Sequence, residues 1–198
     1  QNNNITVGIQ GFSGSCSDQI LAQWPTAVTA SSPDLVVLMA GMNDAIQGTS
    51  IETFVSSMQE MYDRARYEGI PVISMNITPN NQMSELDSGA EPQKQINDYR
   101  VAGDSLAKAN DIPHLDLNRC FLNIMSKRGF NWNDLFADRV HPNTAGSKEI
   151  AGALFCKFLA GEDLSLSVHG KISPVSANFR CSTGVVIGRN MGLAPNVT

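Results

Sequence analysis

Apolar and polar positions follow two different periods along the first 161 residues. Ile5 to Ile9 reads as a short strand that ends at Gly11. Ser17 can cap a following helix, in which Ile20, Leu21, Trp24 and Val28 recur at helical spacing. From Asp34 to Ala40 the apolar residues run on without a break, the pattern of a strand covered on both faces. Thr49 and Glu52 stand at capping-box spacing. Behind them Phe54, Val55, Met58, Met61, Tyr62 and Ala65 share one face of a helix that Gly69 closes. Pro71 to Ile77 is a second buried strand, bounded by Pro79. A polar loop from Asn80 to Ala90 leads to a helix through Ile96, Tyr99, Ala102 and Leu106. Ile112 to Leu117 predicts a short strand and Asn118 to Lys127 a helix. Thr144 to Leu159 predicts a long helix with Ile150, Leu154, Phe155 and Phe158 facing inward.

Strands that alternate with helices predict α/β architecture, with a parallel sheet sandwiched between helical layers. In such sheets ligands gather beyond the carboxyl ends of the strands, so the loops after Ile9, Ala40, Ile77 and Leu117 are the places to search for chemistry. After Gly161 the texture changes. Leu164 to Val168, Ile172 to Val175 and Val185 to Ile187 are short β-prone pieces set among Gly, Pro, Ser and Asn. The pattern divides the chain into a domain over residues 1–161 and a β-rich tail over 162–198. The tail reads as an appended segment, the start of another domain or an oligomer contact.

Composition narrows the classes. With 198 residues, 42% of them hydrophobic, the chain can bury a core of its own, which excludes a disordered chain. A net charge of −5 argues against nucleic acid as a partner, since that binding rests on clustered Lys and Arg. No apolar run reaches the roughly 18 residues of a membrane span, so no membrane partner is expected. Cys16, Cys120, Cys156 and Cys181 lie far apart with no CxxC pair, which rejects a zinc module and favours structural thiols over a disulfide framework.

Three short stretches carry candidate chemistry. In Asp138-Arg-Val-His141-Pro-Asn143 a carboxylate three residues before a histidine can reach Nδ1 of the same imidazole within one turn. That contact fixes the tautomer and stabilises the imidazolium, as an acyl-transfer base requires. Alone, such a pair is as readily a turn-capping Asp and a packed His. Gly41-Met-Asn43-Asp44 follows the apolar strand and sets a side-chain amide at the sheet's carboxyl edge, where it can donate to an oxyanion or simply make a turn. Gly11-Phe-Ser-Gly14-Ser-Cys16 precedes the first helix, where backbone N–H groups face outward. It has neither the Walker lysine nor the GxGxxG spacing of a nucleotide loop. His114 reads as a structural imidazole, His169 has no acidic neighbour in sequence, and Asp116 ends a strand as a supporting residue at most. Trp132 and Phe136 read first as packing for the loop ahead of Asp138, and otherwise as a wall for an acyl or sugar pocket.

Taken in order, Phe-Ser-Gly14, strand-Gly41-Met-Asn43-Asp44 and Asp138-x-x-His141-Pro-Asn143 resemble the SGNH (GDSL-type) hydrolase family across Ile5 to Leu159. Gly14 matches that family's second-block glycine, Asn43 its third-block asparagine, and Asp138 and His141 its fifth block. The resemblance implies a flavodoxin-like three-layer α/β/α sandwich and ester hydrolysis through an acyl-enzyme. It implies that the Gly14 N–H and the Asn43 side chain form an oxyanion hole, and that His141, held by Asp138, is the general base. No metal or organic cofactor is implied. The substrate class is an acylated small molecule or glycan. The polar connections Asn76 to Ala90 and Asn131 to Asn133 favour acetyl removal from a glycan.

The family's first block, a strand ending in Gly-Asp-Ser that brings the nucleophile, has no match in the expected place. Gly103-Asp104-Ser105 spells the triplet, but inside the helix through Ile96 and Leu106. Three arrangements account for this. The strand and its serine lie upstream of Gln1 or on a separate segment, as the polar start Gln1 to Asn4 of a nicked loop would suggest. The tail supplies the strand through Gly184 to Met191, which has Arg189 and Asn190 where Asp and Ser belong and would be catalytically dead. Or one of Ser13, Ser15 and Ser17 substitutes. A rival from another class is a non-catalytic glycan-binding or structural module that kept the fold. The sequence leaves the compartment open, although the tail is compatible with a modular extracellular or virion-borne esterase.

Overall fold

Three short strands line up in parallel and in chain order in the computed structural model, which describes residues 7–80, 91–138 and 140–148. They are β1 (Val36–Met39), β2 (Val72–Met75) and β3 (His114–Leu115). Val36 pairs with Val72 and Met39 with Met75, while Ser74 and Met75 pair with His114 and Leu115. Helix α4 (Ile51–Glu68) connects β1 to β2, and α5 (Glu91–Ala109) lies between β2 and β3. Parallel neighbours require such crossovers, because a tight turn cannot return the chain to the same end.

The alternating faces of the strands divide the core in two. Val36, Leu38 and Val72 join Phe54, Met58, Met61, Tyr62, Ala65, Ile96 and Tyr99 of α4 and α5 on one side. Phe54 meets Tyr99 edge-on at 5.3 Å. Val37, Met39, Ile73, Met75 and Leu115 face the opposite way, toward Leu117, Cys120 and Phe121 of α6 (Leu117–Arg128) and Leu135 of α7 (Trp132–Leu135). Two apolar layers over one sheet make the α/β/α sandwich. Buried Ser74 accepts from the Tyr62 hydroxyl at 2.8 Å, and burial pushes that phenol up to about 12.

Several expectations shift in detail. The helix expected after Ser17 is two helices, α1 (Ser17–Ala22) and α2 (Trp24–Ala27). Pro25 lacks an N–H and crowds the preceding turn, so it can only sit in the first turn of a new helix. Ser50, not Thr49, caps α4, its hydroxyl accepting from the Thr53 N–H at 3.1 Å. The described part of the Ile5 to Ile9 strand, residues 7–9, is not in a strand, and Val7 and Ile9 are 41% and 43% exposed. β1 is likewise only half-covered apart from Leu38. Among the described residues it is the edge of the sheet, with β2 alone beside it. The expected helix after Thr144 begins at residues 144–148, and its remainder and the tail 162–198 lie outside the described residues.

The turn out of β1 is tightly specified. Gly41 has φ +115, and a Cβ there would meet Ile77 Cδ1 at 3.2 Å and Phe54 Cε2 at 3.3 Å. Gly41→Ala is expected to cost about 2–4 kcal/mol of stability, combining backbone strain with overpacking. Urea unfolding measures it, and a loss under about 0.5 kcal/mol would show that the turn relaxes.

Candidate active site

Beyond the carboxyl ends of β1 and β2 lies a cleft of about 230 Å³ whose lining includes Gly14, Asn43 and His141. Three segments distant in sequence therefore meet where an α/β sheet places its ligands. Ile20, Met42, Ile46 and Ile77 give the cleft apolar walls.

His141 arrives on a loop that closes on itself. Phe136 and Pro142 form an antiparallel bridge, and the Ala137 N–H donates to the His141 carbonyl at 2.8 Å. Asn143 ties the base of the loop. Its N–H donates to the Leu135 carbonyl at 2.9 Å, its amide to the Asp134 carbonyl at 3.0 Å, and its Oδ1 accepts from the Gly146 N–H at 2.9 Å. Trp132 stacks on Phe136 at 3.9 Å and donates its indole N–H to the Asp138 carbonyl at 2.8 Å. Neither ring lines the cleft. They brace the loop, the first of the two readings their sequence allowed.

Within this loop Asp138 Oδ1 accepts the backbone N–H groups of Val140 and His141, each at 2.7 Å, and Oδ2 lies 2.8 Å from His141 Nδ1. With Nδ1 engaged, Nε2 is the imidazole nitrogen left to exchange a proton. Partial burial works to raise the Asp138 carboxyl. The two backbone donors and the imidazole outweigh it and hold the group down at about 2. Because the folded value lies below the ordinary 3.8, this group's contribution to stability is complete above that pH and disappears as pH falls through about 2. A carbon NMR titration of Asp138 should place the carboxyl's own inflection near 2. An inflection at the ordinary 3.8 would mean that the backbone donors are not engaged in solution.

The opposite side of the cleft is built by the loop before α1 and by α3 (Met42–Gln47), a helix that the sequence reading did not include. Gly14 has φ +75, a left-handed conformation that glycine adopts without strain. Its N–H has no hydrogen-bond partner among the described residues. Asn43 Nδ2 donates one hydrogen to the Ser15 carbonyl at 3.0 Å, which leaves its second. Asp44, the last residue of the Gly41-Met-Asn43-Asp44 stretch, is fully buried. It accepts from the Ser17 N–H at 3.0 and 3.1 Å and from the Ser17 hydroxyl at 2.6 Å.

Those contacts remove Ser17 as a nucleophile, because its hydroxyl is buried and committed to Asp44. Ser13 and Ser15 line the cleft, but neither hydroxyl is hydrogen-bonded to His141 among the described residues. Gly103-Asp104-Ser105 lies within α5. Asp116 caps α6, accepting from the Arg119 N–H at 3.0 Å, and takes further bonds from Asn76 and Arg100 at 2.8 and 3.3 Å. His114 is buried, with Nε2 4.0 Å from Asp104. Cys16 and Cys120 are buried thiols, and burial pushes Cys120 up to about 12.

The family model of GDSL-like lipases and acylhydrolases matches residues 1–148. An acetyl xylan esterase, AlAXEase, is 24% identical and superposes with a TM-score of 0.63 over 74% of this chain and 77% of its own. A GDSL-like lipase from Bacteroides thetaiotaomicron VPI-5482 is 26% identical, with a TM-score of 0.61 over 74% of this chain and 71% of that one. A variant of Axe2, an acetyl xylan esterase from Geobacillus stearothermophilus, is 20% identical, with a TM-score of 0.58 over 69% and 65%. No curated protein matches the chain by sequence.

Proposed function

This chain belongs to the GDSL-like lipase/acylhydrolase family, and from that we propose that it removes small acyl groups, acetyl first among them, from a carbohydrate through a serine acyl-enzyme. The observation that carries the reading is the cleft lined by Gly14, Asn43 and His141 together, with Asp138 on Nδ1 of the imidazole.

In this mechanism a serine hydroxyl gives its proton to His141 Nε2 as its oxygen bonds the ester carbonyl carbon. The charge that develops on the carbonyl oxygen meets the Gly14 N–H and the second hydrogen of Asn43. Fixed donors of this kind act without reorganising and carry much of the rate enhancement. Asp138 stabilises the imidazolium, which then gives its proton to the departing alcohol. Water, deprotonated by His141, attacks the acyl-serine and returns the free acid and the serine.

We place the serine at the end of an additional strand laid along the open edge of β1. Leu35 to Met39 is apolar throughout, as befits a strand with neighbours on both sides, yet the described sheet supplies one neighbour only. A strand parallel to β1 on that edge would end beside Met39 and Ala40, which line the cleft. A carbohydrate substrate is favoured by the acetyl xylan esterases among the structural neighbours.

A fluorophosphonate probe with peptide mapping tests the reading. Labelling of a serine on a segment outside residues 1–198, together with hydrolysis of p-nitrophenyl acetate, is the expected result. A label on Ser13 or Ser15 would relocate the nucleophile. With neither label nor hydrolysis, the esterase reading fails and a non-catalytic module takes its place.

A further inference from the structure

The loop that carries Gly14 is held by three side chains from one turn of α3. Asn43 donates to the Ser15 carbonyl at 3.0 Å, Asp44 accepts from Ser17, and Gln47 Nε2 donates to the Gly14 carbonyl at 2.6 Å. The Ser15 N–H closes a turn onto the Phe12 carbonyl at 3.2 Å. Residues 43, 44 and 47 project toward neighbouring points because i, i+1 and i+4 lie within about a third of the helix circumference.

Gln47 is the member whose presence packing does not explain. It is exposed and at the last position of α3, where an ordered long side chain gives up rotamer freedom. What it gains is one short bond to a backbone carbonyl. That carbonyl belongs to a glycine, the residue with the widest choice of backbone angles and no side chain by which to be held. Fixing the Gly14 carbonyl fixes the peptide plane it shares with the Ser15 N–H, and with that plane anchored only the φ and ψ of Gly14 remain to set the direction of its own unpartnered N–H.

We infer that Gln47 is a positioning residue: by gripping the Gly14 carbonyl it aims the Gly14 N–H into the cleft. The inference rests on the esterase reading for its catalytic consequence, but the grip itself is independent of that reading. Gln47 touches no reacting atom and acts through Gly14 alone.

The variant Gln47→Met keeps length and removes the donor, and Gln47→Lys restores a donor at similar reach. Two readouts are taken on the full chain with its serine-bearing segment. The first is amide hydrogen exchange and chemical shift by NMR. Gln47→Met should move the Gly14 and Ser15 amides and leave those of α4 unchanged, with Gln47→Lys closer to the parent. The second is kinetics on p-nitrophenyl acetate. Gln47→Met should lower kcat about ten- to a hundredfold, the scale of a misplaced catalytic group, with KM and melting temperature near the parent values. Unchanged Gly14 and Ser15 amides would overturn the inference whatever the activity. Shifted amides with unchanged kcat in an active enzyme would also overturn it. Shifted amides in a protein whose parent form hydrolyses no ester would uphold the grip and sink the esterase reading instead.

Discussion

Replacing His141 with alanine should, on the proposed mechanism, lower ester hydrolysis by about four orders of magnitude or more, the scale on which acyl-transfer triads fail when a member is removed. The fold should survive, because the side chain is half-exposed and its sole described side-chain partner is Asp138. The backbone bonds of the loop, from Ala137 to the His141 carbonyl and from the His141 N–H to Asp138, do not depend on the imidazole. Steady-state rates beside a thermal melt check both halves of the expectation. The residual rate measures what the donors contribute without a base. A loss under about tenfold with an unchanged melt would remove His141 from the proton path.

On the proposed mechanism, Asn43→Ala should lower kcat by about a hundred- to a thousandfold, or about 2.7–4 kcal/mol of barrier, the usual effect of deleting one oxyanion donor. KM should stay near the parent value, because the donor matters most once charge has built up on the oxygen. The substitution also removes the bond to the Ser15 carbonyl, so part of the loss would come from a looser Gly14 loop. Asn43→Asp separates the parts. It keeps the size of the side chain and sets a negative charge where the oxyanion forms, and should be slower still. Were the aspartate variant as active as the parent, Asn43 would not face the developing charge.

How much of this was legible in the sequence varies with the range of the interaction involved. The buried face of α4 followed from the spacing of Phe54, Met58, Met61, Tyr62 and Ala65, since helix periodicity is local and five consistent positions leave little room for another reading. The closeness of Asp138 to His141 was readable for the same reason, three residues within one turn. Pro25 is the local signal of the break between α1 and α2, and it outweighs the helical spacing of Ile20, Leu21, Trp24 and Val28 around it. The half-covered state of β1 could not be read from the run 34–40, because an apolar run reports what a strand is suited to and not which neighbours it has. Asp44 and Gln47 left no local signal of their roles. Their partners lie 27 and 33 residues away in sequence, and an exposed glutamine at a helix end is ordinary. Helix α3 itself was hidden by Gly41-Met-Asn43, which has the composition of a turn.

The bonds that shape the acidic loop close almost wholly inside residues 132–146: indole to Asp138, ring upon ring, Asn143 to the loop's own base, Gly146 back to Asn143. Gly146 is part of the closure, since a Cβ there would strike the Leu135 carbonyl oxygen. Such a segment resembles a cassette, set into the core through Leu135 and Phe136. The contact between its carboxylate and imidazole is local, and what the rest of the protein sets is the distance from that pair to Gly14 and Asn43 on the opposite wall. On the proposed mechanism, selection for a bulkier or smaller substrate can therefore act on the spacing between the two walls without redesigning the Asp138–His141 pair. In a directed-evolution library built on this chain, the rate-improving changes that alter substrate size should gather on the mounting, around residues 46 and 77, and spare the cassette.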